Sequence, residues 1–268
     1  MKNFNNNIGL ITTVSNISLY KETISFFPEN INLFVIDGSD GLFGLNSIKL
    51  MFKKLKKHKI KWLIMADEDV VFVNPNNIFD IIGEMEEEDH DVCGVRDGGL
   101  LSWRDKNPYI LNTFFCIFNL EKIKAFYSET EFLENQYIEE DEFDDDLSAL
   151  KYPYNTKSLF EDYYCFFLWL RRKNLKFKFL QANGGDFEND LETTTVFGVN
   201  NEILLYHTWY ARTYGFNTYH TNRIDRVIGK GNIQKEFLLR KINYFRSYSF
   251  SIKKIRSRWY NRVINLFK

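Results

Sequence analysis

The stretch Lys61-Trp62-Leu63-Ile64-Met65-Ala66-Asp67-Glu68-Asp69-Val70-Val71-Phe72 decides how the chain reads. The apolar run Trp62 to Ala66 is long enough for a buried strand, and three carboxylates follow it directly. Side chains alternate along an extended chain, so Asp67 and Asp69 are expected to point the same way and Glu68 away from them. Two convergent carboxylates suit a hard divalent cation such as Mg²⁺ or Mn²⁺, which takes oxygen ligands and bridges readily to a diphosphate. The plain alternative is a solvated acidic turn behind a core strand.

Upstream, Ile8 to Val14 reads as a buried strand followed by polar Ser15 and Asn16. Ile31 to Ile36 reads as a second strand, closed by the turn residues Asp37-Gly38-Ser39-Asp40-Gly41. Asn46 to Lys57 has helical spacing, with Ile48, Met51, Phe52 and Leu55 on one face. Downstream, Pro75 opens a helix in which Ile78, Phe79, Ile82 and Met85 recur. Asp91 to Val95 is strand-like and turns at Arg96-Asp97-Gly98-Gly99; Thr113 to Phe118 is another strand, and Leu120 to Phe126 a short helix. Phe160 to Lys173 is a strongly apolar helix, Phe177 to Leu180 a strand, Gly184 to Asn201 loop-rich, and Ile203 to Tyr206 a last short strand. Strands alternating with helices predict an α/β fold, with a mainly parallel sheet covered on both faces. Ligands collect at the carboxyl ends of such strands, so Asp37, Asp67 and Asp69 are expected to share one crevice.

The bulk properties agree with a folded chain. Its 268 residues are 44% hydrophobic and 17% aromatic, with a net charge of −1, which favours no partner by overall electrostatics. Charge is unevenly spread. Glu129 to Asp146 holds ten acidic and no basic residues and is expected to be an exposed loop, whereas Arg223 to Lys268 holds thirteen Lys/Arg against two Asp/Glu. Cys93, Cys116 and Cys165 lie in apolar stretches and read as buried free thiols of a reducing compartment. No run reaches the ~20 apolar residues of a membrane span, and Met1 to Asn7 is polar, so a cytoplasmic protein is expected. Gly-x-x-x-x-Gly-Lys-Ser/Thr and Gly-x-Gly-x-x-Gly signatures are absent, which argues against P-loop phosphoryl transfer and dinucleotide chemistry.

Several further side chains carry chemistry. His207, in Leu205-Tyr206-His207-Thr208-Trp209, would complete an oxygen-rich metal site as a neutral imidazole. Arg212 offers a planar fork suited to phosphate oxygens. Asp97, Trp103 and Asn112 are candidates for holding sugar, through hydrogen bonds and an aromatic face. Core packing is the ordinary role of a Trp. From Ile252 onward Ile252, Ile255, Trp259, Val263 and Phe267 recur at helical spacing, with Lys253, Lys254 and Arg258 on other faces. Such a helix would lie on an anionic membrane or pack against the main domain or a second copy of the chain. No nucleic-acid partner is expected, because the aromatics form one packed face and no stacking platform.

With these residues in view, the chain from about Ile8 to Gly215 resembles the GT-A glycosyltransferases, family 2-like enzymes with an Asp-x-Asp motif that use nucleotide-sugars. The order strand, Asp37-Gly38-Ser39 turn, helix, strand, Asp67-Glu68-Asp69 carries the likeness. The resemblance implies a GT-A domain over 1–220 and a basic helical extension over 221–268. It implies that Asp37 accepts a hydrogen bond from the uracil or ribose, and that Asp67 and Asp69 hold Mn²⁺ or Mg²⁺ against the diphosphate of a UDP-sugar. His207 would meet the metal or the diphosphate. In Phe160-Glu161-Asp162-Tyr163, Asp162 or Glu161 would be the base of an inverting transfer, at a helix N-terminus that keeps it ionised. The partners implied are a nucleotide-sugar donor and a saccharide or lipid-linked acceptor. The Arg often found after the second strand of such enzymes has no counterpart; Asn46 or Lys49 lies near that place. Two other readings use the same carboxylates: a two-metal phosphoesterase or nuclease, which needs more convergent ligands, and a binding domain without turnover.

Overall fold

A computed structural model describes residues 7–185, 190–233, 241–252 and 254. Seven strands form a central sheet in the order β11-β2-β1-β3-β6-β5-β7. They are β1 (Ile8–Val14), β2 (Asn32–Asp37), β3 (Trp62–Ala66), β5 (Val92–Arg96), β6 (Leu111–Asn119), β7 (Phe177–Phe179) and β11 (Ile242–Phe245). β11, β2, β1 and β3 are parallel, β5 pairs in parallel with β7, and β6 runs against both of its neighbours. The fold is therefore mixed α/β with a mainly parallel sheet, as the alternation of elements predicts.

Alternation along each strand divides the core in two. Leu10, Leu33 and Ile64 face one layer and Ile11, Phe34 and Leu63 the other. The second layer is built by α2 (Leu45–Leu55), α4 (Leu120–Phe126) and α6 (Tyr164–Arg172). α6 buries every residue from Tyr164 to Leu170, as suits a helix that is apolar all round. The first layer holds α1 (Ile17–Thr23), α3 (Asn77–Glu87), α7 (Thr218–Ile228) and a second, antiparallel sheet, β4-β10-β9-β8. These strands are β4 (Val70–Phe72), β8 (Ala182–Gly184), β9 (Thr194–Phe197) and β10 (Ile203–His207). On α3 the buried stripe is Ile78, Ile81, Ile82 and Met85, with Phe79 only partly covered.

Several expectations are corrected. The acidic run from Glu129 begins with α5 (Glu129–Leu133), because Phe132 is drawn fully into the aromatic cluster with Phe166 and Trp169. The rest of that run is a strap tied down by arginines: Asp145 to Arg96 and Arg171, and Glu142 to Arg172. Gly184 to Asn201 contains β9, whose Thr194 and Thr195 are buried in the second sheet. Helix α6 starts at Tyr164, so Glu161 and Asp162 precede it and stand outside its first turn. Among the described residues, α7 spans positions 220 and 221, and β11 extends the central sheet beside β2. Apart from Ile252 and Lys254, the amphipathic helix expected from Ile252 onward lies outside the described residues. Cys93, Cys116 and Cys165 are free and buried. Among the described residues no helix is long and apolar enough to cross a membrane.

Candidate active site

β3 belongs to the central sheet and β4 to the second, and Asp67-Glu68-Asp69 is the turn between them. Val70 N–H donates to Asp67 O at 3.2 Å, and Asp67 N–H to Phe114 O at 3.0 Å. The acidic triplet is thus no continuation of the strand, as the sequence suggested, because the chain must bend from one sheet to the other. Asp67 and Asp69 still converge. Their carboxylates and the His207 ring offer ligand atoms within 4.8 Å of one another. His207 ends β10 opposite Val70 of β4, so antiparallel pairing delivers it beside the turn. Its Nε2 lies 3.2 Å from Asp69 Oδ1, and its buried Nδ1 has no hydrogen-bond partner among the described residues. Phe114 stacks on the imidazole at 4.1 Å and 11°, and Trp209 lies 4.4 Å away, so the ring has little freedom to turn.

Glu68 departs from the pair, as alternation anticipates, but is far from solvent. Its Oε1 accepts from the N–H groups of Ser15 and Asn16 at 2.9 and 3.1 Å, and its carbonyl accepts from Thr23 Oγ1 at 2.8 Å. It therefore pins the turn to the β1–α1 junction. Burial, together with the charge of Asp69, pushes its carboxyl up to about 7. Burial and then the charges of Asp69 and Glu68 push Asp67 well above the ordinary carboxylate range, against the pull of Arg212. Crowded carboxylates whose protons are held by mutual repulsion become favourable as anions once a cation sits among them. Two carboxylates and an imidazole with an open nitrogen fit a divalent cation by number and by donor type.

These groups line a cavity of about 790 Å³ at the carboxyl ends of β1 and β3. Arg104, Asn112, Glu161, Asp162 and Arg212 also face it. Arg212 lies over the Phe43 ring at 4.0 Å. Asp162 Oδ1 accepts from Leu45 N–H at 3.3 Å and so caps α2, whose own cap position is Gly44 at φ +56°. A Cβ at Gly44 would come within 3.0 Å of that oxygen, so glycine permits both the left-handed turn and the approach. Glu161 Oε1 accepts from Arg104 Nη2 at 2.8 Å. Arg104 is itself fixed by Asp97, whose oxygens accept from its Nε and Nη2 at 2.6 and 3.0 Å and from Asn112 at 2.5 Å, and also from Tyr164 OH.

The other expected sugar contacts fall elsewhere. Asp97 is buried behind Arg104 and does not line the cavity, and Trp103 packs against Gly184 of β8, where an added Cβ would meet its ring at 2.8 Å. Asp37 is outside the main cavity. Ser39 N–H and Oγ donate to its Oδ1 at 3.1 and 2.5 Å, and Arg246 Nε lies 3.4 Å from Oδ2. Burial pushes Asp37 up, but bonds from Ser39 and Tyr244 and the Arg246 charge outweigh it and lower its pKa. Its neighbours Gly38 and Ser39 line an adjoining cavity of about 570 Å³ that shares Ser15, Gly41, Phe43 and Arg212 with the first. The crevice is thus continuous, with Asp67 and Asp69 in one chamber and the Asp37 turn beside the other.

Sequence reasoning missed Phe114, Asn16 and Arg223. Asn16 Nδ2 donates to Ala211 O and Tyr214 O at 2.9 and 2.8 Å and ties the β1–α1 junction to the segment bearing Arg212. A lone polar residue after a strand gives no signal for such a long-range role.

No protein-family model matches the sequence, and no curated protein matches it. Among solved structures, a mannosyltransferase from Pyrobaculum calidifontis in complex with GDP-Man and Mn²⁺ is similar over 44% of this chain and 46% of its own, at 8% identity and TM-score 0.29. The chain therefore spans less than half the length of that protein. A Drosophila β1,4-galactosyltransferase 7 mutant in complex with manganese, UDP-Gal and xylobiose is similar over 88% of this chain and 80% of its own, at 14% identity and TM-score 0.38.

Proposed function

We propose that this chain is a metal-dependent glycosyltransferase of the GT-A type, which moves a sugar from a UDP-sugar to a saccharide or glycolipid hydroxyl with inversion. The observation that carries the reading is the convergence of Asp67, Asp69 and His207 at the sheet crossover, in a cavity whose wall also presents Glu161 and Asp162. A bound Mn²⁺ or Mg²⁺ supplies Lewis-acid neutralisation of the leaving diphosphate. Arg212, braced on Phe43, presents its fork to the same phosphate oxygens. Gly38 and Ser39, beside Asp37, border the adjoining chamber for the nucleoside. Asp162 takes the proton of the acceptor hydroxyl as that oxygen bonds to the anomeric carbon and the bond to the diphosphate breaks. Among the described residues its carboxylate takes one hydrogen bond, from Leu45, which leaves the second oxygen to do so, whereas Glu161 is committed to Arg104. Asn112 keeps the sugar-facing role expected of it, and Arg104 joins it in place of Asp97 and Trp103. The transferase domain would run past residue 220 to take in α7 and β11. The basic chain beyond β11 would be its extension towards a membrane surface or a second copy.

The two-metal hydrolase gains no support, since Asp67, Asp69 and His207 are the one cluster of potential metal ligands among the described residues. The decisive experiment is a thermal-shift titration with UDP and Mn²⁺, paired with a donor-panel assay for sugar transfer. Stabilisation that needs both ligands and vanishes in Asp69→Ala supports the proposal. Equal stabilisation of wild type and variant would sink it.

A further inference from the structure

We infer that Arg223, on α7, is a positioning residue for the Asp67–Asp69–His207 site, acting by locking the backbone that leaves His207. The inference rests on the metal reading of that site. Arg223 is 1% exposed, although a buried guanidinium is costly unless its donors are matched. Its Nη2 donates to the carbonyls of Thr208 and Trp209 at 2.5 and 3.3 Å, and its Nη1 to Thr193 Oγ1 at 2.9 Å. Glu192 and Asp190 balance its charge at 3.1 and 3.7 Å.

The segment it grips is strained. Trp209 and Tyr210 stand in succession at φ +59° and +60°, the left-handed region that bulky side chains avoid. Such a residue persists only where its surroundings over-determine it. The strained pair holds the Trp209 ring 4.4 Å from the His207 ring, with Trp209 Nε1 donating to Thr194 Oγ1 at 2.9 Å. Thr208 in turn donates its N–H to Asp69 O at 3.1 Å. One guanidinium thus fixes the carbonyls of the two residues that follow the imidazole ligand and, through Thr208, the backbone of a carboxylate ligand. Relaxation of Trp209 towards ordinary backbone angles would turn its ring off His207 and free the imidazole to rotate. Arg223 touches no reacting atom, and its effect passes entirely through this loop.

The test is Mn²⁺ affinity, measured by electron paramagnetic resonance on folded protein at 25 °C, alongside the thermal midpoint. Arg223→Lys keeps the charge but cannot bond both carbonyls and the Thr193 hydroxyl at once. It is expected to bind Mn²⁺ at least tenfold more weakly than wild type at a temperature where it is fully folded. An affinity within twofold of wild type would overturn the inference, whatever the change in midpoint. Should Arg223→Lys not fold, Thr193→Val carries the test: it removes the hydroxyl that aims Nη1, and at least a threefold loss is expected. Unchanged affinity in that variant overturns the inference equally. Wild-type protein that binds no Mn²⁺ overturns the metal reading itself, so the two failures are told apart.

Discussion

Two acid-rich regions of this molecule look alike in sequence and differ in what surrounds them. The strap from Glu139 to Asp146 is the denser, yet its half-buried members are matched: Asp145 lies between Arg96 and Arg171, and Glu142 takes two bonds from Arg172 at 2.6 and 2.8 Å. The Asp67–Asp69 turn holds fewer acids, but burial and mutual repulsion push Asp67 and Glu68 upward, with Arg212 the cation that opposes this at Asp67. Density of carboxylates therefore does not mark a binding site; carboxylates short of positive partners do. The strap is architecture, and the turn is the place where, on the proposed reading, a cation would be held.

The sharpest way to break this contrast is Asp69→Asn. If the turn is a cation site, sugar transfer falls by about 10³-fold, ~4 kcal/mol of transition-state stabilisation, and the Mn²⁺-dependent rise in thermal midpoint disappears. A variant that keeps that rise puts the turn in the same class as the strap. Next in size, Asp162→Asn is expected to lower transfer by about 10²–10⁴-fold, the range of a lost general base, with UDP–Mn²⁺ affinity unchanged. Glu161→Gln, which loosens an ion pair to Arg104, should have the smaller kinetic effect; the reverse ranking in steady-state assays would exchange their roles. Asp145→Ala leaves two arginines facing each other. It should cost about 3 kcal/mol in urea unfolding while Mn²⁺ affinity stays as in wild type, and a matching loss of affinity would erase the distinction between the regions.

The smallest expected effect is a pH dependence. Glu68 is raised from 4.5 to about 7 in the folded chain, so between these values the folded state keeps a proton that the unfolded state has released. The Glu68 contribution to the stability of the metal-free protein is therefore fully present below pH 4.5 and is lost as pH rises towards 7, by at most ~3 kcal/mol. Glu68→Gln keeps an acceptor for Ser15 and Asn16 and should reduce the slope, leaving the part that the raised Asp67 contributes. Saturating Mn²⁺ should do the same by neutralising Asp69. A slope that is undiminished in the variant would assign it to other groups.

Much of the central sheet was legible because its strands are continuous apolar runs. β1, β3 and α4 begin and end where the sequence placed them. Of the second sheet only β10 was, since β4, β8 and β9 are three or four residues long and β9 is half threonine, a pattern that reads as loop until a partner strand covers it. Helices α1 and α7 escaped notice for a related reason. The buried residues of α7 are Arg223, Ile224 and Val227, so no apolar stripe announces it. Within the site, the convergence of Asp67, Asp69 and His207 was anticipated correctly, but the backbone form was not: a turn between two sheets replaces the strand end. Asp97 and Trp103 stood out by residue type, whereas burial and the Arg104 ion pair, which only tertiary structure reveals, decide their positions.

The pairing of β10 with β4 sets an order of events on the ribosome. Both aspartates emerge early and can fold with the first strands, but the imidazole that joins them arrives only with Ile203–His207, and α7, which carries Arg223, emerges later still. A nascent or truncated chain that stops before this point would display the acidic turn without its nitrogen donor. Tight ion capture would then certify that synthesis had passed β10 and that this late strand had found its early partner.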